Sequence, residues 1–364
     1  MNVLDYLHEF KDTSFEVMGF NELDALICSI LSYYPFHLQD TKKVMKAKDL
    51  TKLLYSTDER GLSQRKRNDI KLMLEFATSK RYKDFKLINF KRVFDKDATV
   101  QFQAITILFK KFMFVSFCGT DATLNGWKED FNMSYLEMVP SERVAIDYVN
   151  TIRKSHPFRP LYLGGHSKGG RLAITGAKYL SKKKGLLQVF SFDGPNFLDS
   201  FYDDKYNEIK SHIYKYTPNE SIIGRLINDN GKDKIIVRSN SELLGQHDIY
   251  SWEVENAHFI LEKEYTKRSN KIVGIINTSL RFIPDDKKKK VIDTLFDLLS
   301  RADFNVFTDD KIDKDLLKQF IPILREEWKA TPKDGREAIK DAAKTAVKGF
   351  ISKVASKRKN KSIE

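Results

Sequence analysis

One segment restricts the possible folds of this chain more than any other, because a strand, a tight turn and a helix follow one another over residues 160–180. The turn reads GHSKG, with Ser167 at its centre. Such a turn holds the central residue in strained backbone geometry, and the glycines two places before and after it let strand and helix approach closely. The serine then lies at a helix N-terminus, where the N–H of Lys168 can point at a developing oxyanion. We therefore predict that Ser167 is a nucleophile; the simpler alternative is a glycine-rich turn with an incidental serine.

The pattern around this segment predicts an α/β chain. From about Val100, short β-rich runs alternate with helical or turn-rich stretches, which indicates a mostly parallel sheet. Helical spacing of apolar residues precedes this region and returns after Trp252. We expect an N-terminal helical layer over residues 1–95, a core over 96–262 and a C-terminal helical extension with a basic tail over 263–364. The predicted strands are QFQAITILF, FMFVSFCG, PLYLGG, LQVFSFDG, HIYKYTP and KIIVRS.

A second motif lies upstream, where a strand ends in FCGTD and is followed by NGWKEDF. It resembles the oxyanion loop of the class 3 lipases, in which an aromatic-Arg-Gly-Ser/Thr sequence has a Trp and an Asp downstream. Gly119, Thr120, Trp127 and Asp130 match that pattern, while Cys118 stands where an arginine is usual. In those lipases the Ser/Thr binds the oxyanion with its backbone N–H and often with its hydroxyl as well. The resemblance implies this role for Thr120, together with the backbone N–H of Lys168.

A closer resemblance extends over residues 21–252, to a bacterial family of lipase-like α/β-hydrolases called Mbeg-like. It implies an α/β-hydrolase fold with a mostly parallel sheet and a hydrolase site, but no particular substrate. The combination of segments is specific even where each alone is not. The matching segments are NELDALICSILSYYPF, QFQAITILF, GTDATLNGWKEDFNM, GGHSKGGRLA, FDGPNF, PNESIIG and QHDIYSW.

A serine nucleophile needs a histidine base, and in this fold the chain order is serine, acid, histidine. Only His212, His247 and His258 follow Ser167. His247 is the predicted base, because it follows the strand KIIVRS in a loop and matches the late QHD motif of the Mbeg-like family. His212 comes too early for the order, and His258 stands beside an aromatic residue in a segment typical of a structural histidine.

Two carboxylates compete for the third position of the triad. Glu220 follows a strand in YTPNES and resembles the lipase segment in which an Asp precedes a turn, so it is the first choice. Asp193 also ends a strand, in SFDGPNF, and some α/β-hydrolases take their acid from that strand; it could equally cap a turn before Gly-Pro. Both remain open.

These residues together predict a serine hydrolase that cleaves a lipid or other carboxylic ester through an acyl-enzyme. A thioesterase or amidase would use the same machinery. The alternative from another class is a catalytically silent module that binds lipid or a partner protein. GxGxxG, GxxxxGK[ST] and HExxH motifs are absent from the sequence, so we expect neither a cofactor nor a metal.

The net charge of +13 is concentrated at one end of the chain. Residues 329–364 contain 11 Lys and Arg against 4 Asp and Glu. Ile339, Val347 and Phe350 fall on one face of a predicted helix there, and lysines line another, which is typical of a basic amphipathic helix. We expect either peripheral contact with an anionic membrane or packing on the N-terminal helices. Nucleic acid is an unlikely partner, because basic faces with interleaved aromatic residues are lacking.

The first residues lack a basic stretch followed by an apolar one, and apolar runs fall short of the roughly 20 residues that a spanning helix needs. We therefore expect cytoplasmic residence, with peripheral membrane contact as an addition.

Overall fold

The computed structural model describes residues 1–34, 44–121, 123–229 and 234–301, with single helical positions between 329 and 341. Within these residues, eight strands form one sheet in chain order. They are β1 (Met45–Lys46), β2 (Lys86–Asp95), β3 (Val100–Leu108), β4 (Met113–Phe117), β5 (Leu161–His166), β6 (Leu186–Phe192), β7 (Ile213–Pro218) and β8 (Lys234–Val237). A separate hairpin pairs β9 (Val254–Glu255) with β10 (His258–Phe259).

Strands β4 to β8 are parallel, whereas β1 to β4 pair antiparallel. The helices are α1 (Val3–Phe10), α2 (Glu22–Ile30), α3 (Ala47–Tyr55), α4 (Gln64–Thr78), α5 (Leu124–Asn132), α6 (Pro140–Ser155), α7 (Lys168–Lys178), α8 (Asp204–Asn207), α9 (Lys267–Phe282) and α10 (Asp285–Arg301). The predicted mostly parallel α/β-hydrolase fold is confirmed.

The sheet is covered on both faces, because its strands bury alternate side chains in two different cores. Phe114 of β4 belongs to the core shared with α1, α2 and α4, which we call the N-terminal layer. Met113, Val115 and Phe117 of the same strand belong to the core shared with α6 and α7. Strands buried on both sides are typical of parallel sheets and explain their near-continuous apolar sequence.

One segment departs from the sequence-based expectation. Residues 86–95 were expected within a helical layer, but they form the strand β2. It pairs with β3 near the sheet edge, and most of its Lys and Arg side chains face solvent. A half-exposed strand of this kind lacks the apolar run that marks a buried strand, and a bulge between Ile88 and Lys91 interrupts its alternation further.

Buried polar contacts attach the N-terminal layer to the rest of the chain. The carboxylate of Asp24 in α2 accepts hydrogen bonds from Arg81 (2.5 Å), Tyr82 (2.5 Å) and Tyr6 (3.1 Å). The hydroxyl of Ser116 in β4 donates to the carbonyl of Ser29 at 3.0 Å. Because unpaired buried polar groups are costly, these bonds fix the position of α2 on the sheet.

The C-terminal helices continue the fold beyond β10. Helix α10 packs on α5, where the rings of Phe296 and Phe131 lie 5.5 Å apart. Among the described helices, we find none with the length and apolar character needed to cross a bilayer. Ile339, Val347 and Phe350 of the predicted tail helix lie outside the described residues, and so does most of the basic tail.

Candidate active site

The predicted nucleophile lies where β5 meets α7. Ser167 separates the two elements and has φ of 58° and ψ of −133°, a region that side-chain-bearing residues rarely adopt. Its N–H donates to the carbonyl of Phe192 at 2.8 Å, which ties the turn to the end of β6. The side chain of Ser167 is half-buried at the carboxyl edge of the sheet, where ligands bind in open α/β sheets.

Two glycines of the turn are required by space. A Cβ added at Gly165 would lie 2.3 Å from the backbone of Gly169, and one added at Gly169 would lie 2.1 Å from the carbonyl oxygen of Phe117. Both contacts are with backbone, which cannot move aside as a flexible side chain can. The glycines therefore allow α7 to pack against the ends of β4 and β5, which holds Ser167 in place.

The predicted base and one of the two candidate acids are in contact. Nδ1 of His247 lies 2.6 Å from Oδ2 of Asp193. The other carboxylate oxygen of Asp193 accepts hydrogen bonds from the hydroxyl of Ser221 at 2.5 Å and the N–H of Gly224 at 3.1 Å. A carboxylate held in this way orients the imidazole with Nδ1 toward the acid and leaves Nε2 available to exchange a proton.

Glu220, our first choice from the sequence, does not contact His247. Its Oε1 accepts a hydrogen bond from the hydroxyl of Thr266 at 2.8 Å, and its Oε2 accepts one from the N–H of Leu243 at 3.3 Å. The carboxylate beside the histidine therefore follows β6 rather than β7. Glu220 instead holds the loop that carries His247, because its own N–H donates to the side chain of Gln246 at 2.7 Å.

A second histidine supports the first. His166 is buried, and its ring lies 4.4 Å from that of His247 between centroids. Its Nε2 donates to the backbone carbonyl of His247 at 2.9 Å, so Nδ1 is the acceptor for the hydroxyl of Tyr33, also at 2.9 Å. Burial, followed by the electrostatic interaction with His247, holds the pKa of His166 well below its ordinary value. His166 is therefore a neutral support for the His247 loop.

Sequence reasoning did not identify this supporting role. His166 is part of the GHSKG turn, and the sequence assigned no role to it or to Tyr33. The pairing joins residues 133 positions apart, so local spacing carries no signal for it. Gln246 of the QHD motif also has a structural contact that the sequence does not indicate. Its backbone carbonyl accepts a hydrogen bond from the indole N–H of Trp252 at 2.8 Å.

The expected oxyanion loop lies next to the nucleophile. A Cβ added at Gly119 would be 3.1 Å from the Cβ of Ser167. The following residue, Thr120, directs its hydroxyl to Oδ2 of Asp130 at 2.5 Å. Burial raises the pKa of Asp130 to about 6. Because the Thr120 hydroxyl already has an acceptor, the backbone N–H is the group of Thr120 that is left for an oxyanion.

The side chain of Lys168 has a structural position. Its Nζ is buried and lies 3.1 Å from Oε2 of Glu129 and 2.9 Å from the carbonyl of Gln101. The other oxygen of Glu129 accepts a hydrogen bond from the N–H of Ser141 at 2.8 Å. Only the backbone N–H of Lys168 can therefore take the predicted role at the oxyanion, while its ammonium fixes α5 and α6 around α7.

This buried ion pair leads to a stability prediction. We expect Lys168→Met to lower the free energy of unfolding by about 3–5 kcal/mol, because the carboxylate of Glu129 stays buried without its cation. Lys183→Met is the matched control, since it breaks an exposed ion pair with Glu208 and should cost at most about 1 kcal/mol. Urea denaturation followed by circular dichroism measures both values. Equal stability of the two variants would contradict the structural role.

The remaining candidate histidines are positioned elsewhere. Nδ1 of His212 lies 2.9 Å from the carbonyl of Leu187, and Nδ1 of His258 lies 2.8 Å from the carboxylate of Glu22. Cys118 is buried, and burial raises the pKa of its thiol well above the ordinary value. The two histidines therefore bond to groups outside the proposed triad, and Cys118 is a buried thiol.

The family model described as Mbeg1-like matches residues 76–297. No curated protein matches the sequence.

Three similar solved structures are fungal lipases. The Rhizomucor miehei lipase propeptide complex is 14% identical with a TM-score of 0.37, over 58% of this chain and 65% of that one, so this chain spans slightly less than two thirds of its length. A fungal lipase–inhibitor complex is 13% identical with a TM-score of 0.41, over 75% and 95% of the two chains. The lipase from Rhizopus microsporus var. chinensis is 15% identical with a TM-score of 0.36, over 65% and 87%.

Proposed function

This chain belongs to the Mbeg1-like family, and on that premise we propose that it is a serine hydrolase that cleaves a carboxylic acyl ester, with lipid esters as the preferred class. The lipase-like hydrolase fold is established by the sheet and its helices. The contact between His247 and Asp193, at the same sheet edge as Ser167, is the observation that supports activity most strongly.

In the proposed reaction, Oγ of Ser167 attacks the ester carbonyl while Nε2 of His247 takes the hydroxyl proton. Asp193 keeps the imidazole in the tautomer that carries a proton on Nδ1. The backbone N–H groups of Thr120 and Lys168 bind the oxyanion of the tetrahedral intermediate. His247 then returns the proton to the leaving alcohol, and a water molecule repeats the sequence to release the acid and free Ser167.

The direct test is labelling of the full chain with a fluorophosphonate, combined with hydrolysis of p-nitrophenyl esters of increasing acyl length. We expect the fluorophosphonate to label the protein and one acyl length to be hydrolysed faster than the others. The same acyl series as thioesters would show whether the leaving group is an alcohol or a thiol. A chain that neither reacts with the probe nor hydrolyses any ester or thioester would instead fit a silent module of this fold.

We also propose that the basic tail brings the enzyme to an anionic membrane. Each Lys or Arg near such a surface contributes about 1 kcal/mol, so charge would supply most of the binding. We expect co-sedimentation with anionic but not zwitterionic liposomes, weakened by salt and lost when residues 336–364 are removed. If liposome binding survives this truncation, or if the full chain does not bind liposomes even at low salt, the tail would instead pack on the N-terminal helices.

A further inference from the structure

A basic pocket lies on the α7 face of the sheet, and the residues of the proposed triad are not among those that line it. It has a volume of about 180 Å³ and is formed by α7, the segment after β6 and the first residues of β7. Its polar lining includes Lys210, Lys215 and Lys234, and the described residues that line it include no carboxylate. We call it the lysine pocket.

Lys215 is the central group of this pocket. Its side chain belongs to a residue that is only 7% exposed, and its Nζ donates to Oδ1 of Asn196 at 2.6 Å. Among the described residues, the neutral amide of Asn196 is the hydrogen-bond acceptor of the Lys215 amine. Burial, followed by the neighbouring ammonium of Lys234, lowers the pKa of Lys215 well below its ordinary value. Burying an amine without a carboxylate partner is costly, and an anion bound beside Lys215 would lower that cost.

Two carboxylates outside the lining, Asp193 and Asp229, act on Lys215, and both have other partners: Asp193 contacts His247. Asp229 lies 2.6 Å from the guanidinium of Arg225, and it also pairs with the ammonium of Lys234. One carboxylate therefore faces two cations before Lys215 is counted. The local charge is therefore positive, and it lies in a concave site, where a ligand charge interacts more strongly than on a flat surface.

The other walls of the lysine pocket are apolar or aromatic. Ile174 of α7 and Ile213 of β7 form part of the lining, and the segment after β6 contributes Phe197, Tyr202 and Tyr206. An inorganic ion would leave these surfaces without a partner. A pocket with cations at one position and apolar walls around it suits a ligand that has a charged group on a small organic body.

We propose that the lysine pocket binds a small organic anion, whose carboxylate or phosphate group pairs with Lys215 and Lys210 and whose apolar body packs on the aromatic wall. Ser167 and His247 do not line this pocket, so binding of the anion does not depend on hydrolase activity. The bound anion supplies the negative charge that the lining lacks, and it favours the ammonium form of Lys215.

Calorimetric titration of the full chain tests the proposal with phenyl phosphate, hexanoate and inorganic phosphate as probes. We expect saturable binding of phenyl phosphate or hexanoate, and weaker binding of inorganic phosphate; the tighter of the two organic probes identifies the anionic group. Lys210→Met and Lys215→Met should each weaken that binding by about tenfold or more, because each removes a charged hydrogen-bond donor. Ser167→Ala should bind as the unaltered chain does, which separates this site from the catalytic one.

Lys110→Met is the charge-matched control, because Lys110 is exposed in the turn between β3 and β4, and we expect its affinity to change by less than about twofold. Thermal melting shows whether Lys215→Met is folded; if it is not, the exposed Lys210 variant decides the result. The proposal is overturned if neither organic probe binds saturably, or if the folded lysine variants bind as tightly as the control.

Discussion

Ser167→Ala is expected to abolish fluorophosphonate labelling and to lower kcat for the preferred ester by about 10⁶, the loss typical of removing a triad nucleophile. The reason is that an alanine at the elbow leaves no group to form the acyl-enzyme, while the oxyanion donors and the bound substrate remain. The measurement is steady-state hydrolysis together with intact-mass detection of the labelled chain.

A neighbouring serine provides a matched control for this experiment. Ser191 in β6 is buried, and among the described residues its hydroxyl has no hydrogen-bond partner. Ser191→Ala therefore removes the same atom close to the site, and we expect it to keep activity within about threefold of the unaltered chain. If the Ser167 variant labels and hydrolyses as the Ser191 variant does, the nucleophile lies elsewhere.

The second large effect concerns the acid. We expect Asp193→Asn to lower kcat by about 10⁴, because the amide stabilises the wrong tautomer of His247 and cannot balance the imidazolium that forms during the reaction. The change is nearly isosteric, so the hydrogen bonds from Ser221 and Gly224 to the side-chain oxygen can persist.

Glu220→Gln is the comparison that makes this result specific. Its side chain lies in the neighbouring loop and bonds to Thr266 and Leu243, so an amide can keep one of these contacts. We expect a decrease in kcat of about tenfold at most, through a less well ordered His247 loop. A crippled Glu220 variant beside an active Asp193 variant would reverse the assignment, and circular dichroism of both would exclude unfolding as the cause.

Much of the fold was predictable because its signals are local. Strands buried on both faces are long apolar runs, and the turn at Ser167 carries glycines whose spacing follows from backbone contacts. The family resemblance is confirmed by the match over residues 76–297. The strand β2 was missed because a strand with one solvent face contains too many charged residues to differ from a surface helix.

The partner of His247 was less predictable, since both candidate carboxylates follow strands and the sequence does not encode which strand end the histidine loop approaches. In the structure, the side chain of Gln246 bonds to the turn after β7, and the next residue, His247, then lies beside Asp193 at the end of β6. The support from Tyr33 depends on the packing of α2 against the sheet, and a chain-wide arrangement of this kind has no short-range sequence pattern.

The N-terminal layer bears on whether the segment matched by the family model could fold without the residues that precede it. The matched segment begins at residue 76, near the end of α4, so α1, α2 and most of α4 precede it, although they pack on one face of the sheet and close the cluster around Asp24. A fragment made of that segment would expose the apolar side chains of the central strands and would lose Tyr33 from beneath the histidine loop. The segment matched by the family model therefore lacks part of the core that covers the sheet, and transplanting the candidate active site into another protein would require the N-terminal layer as well.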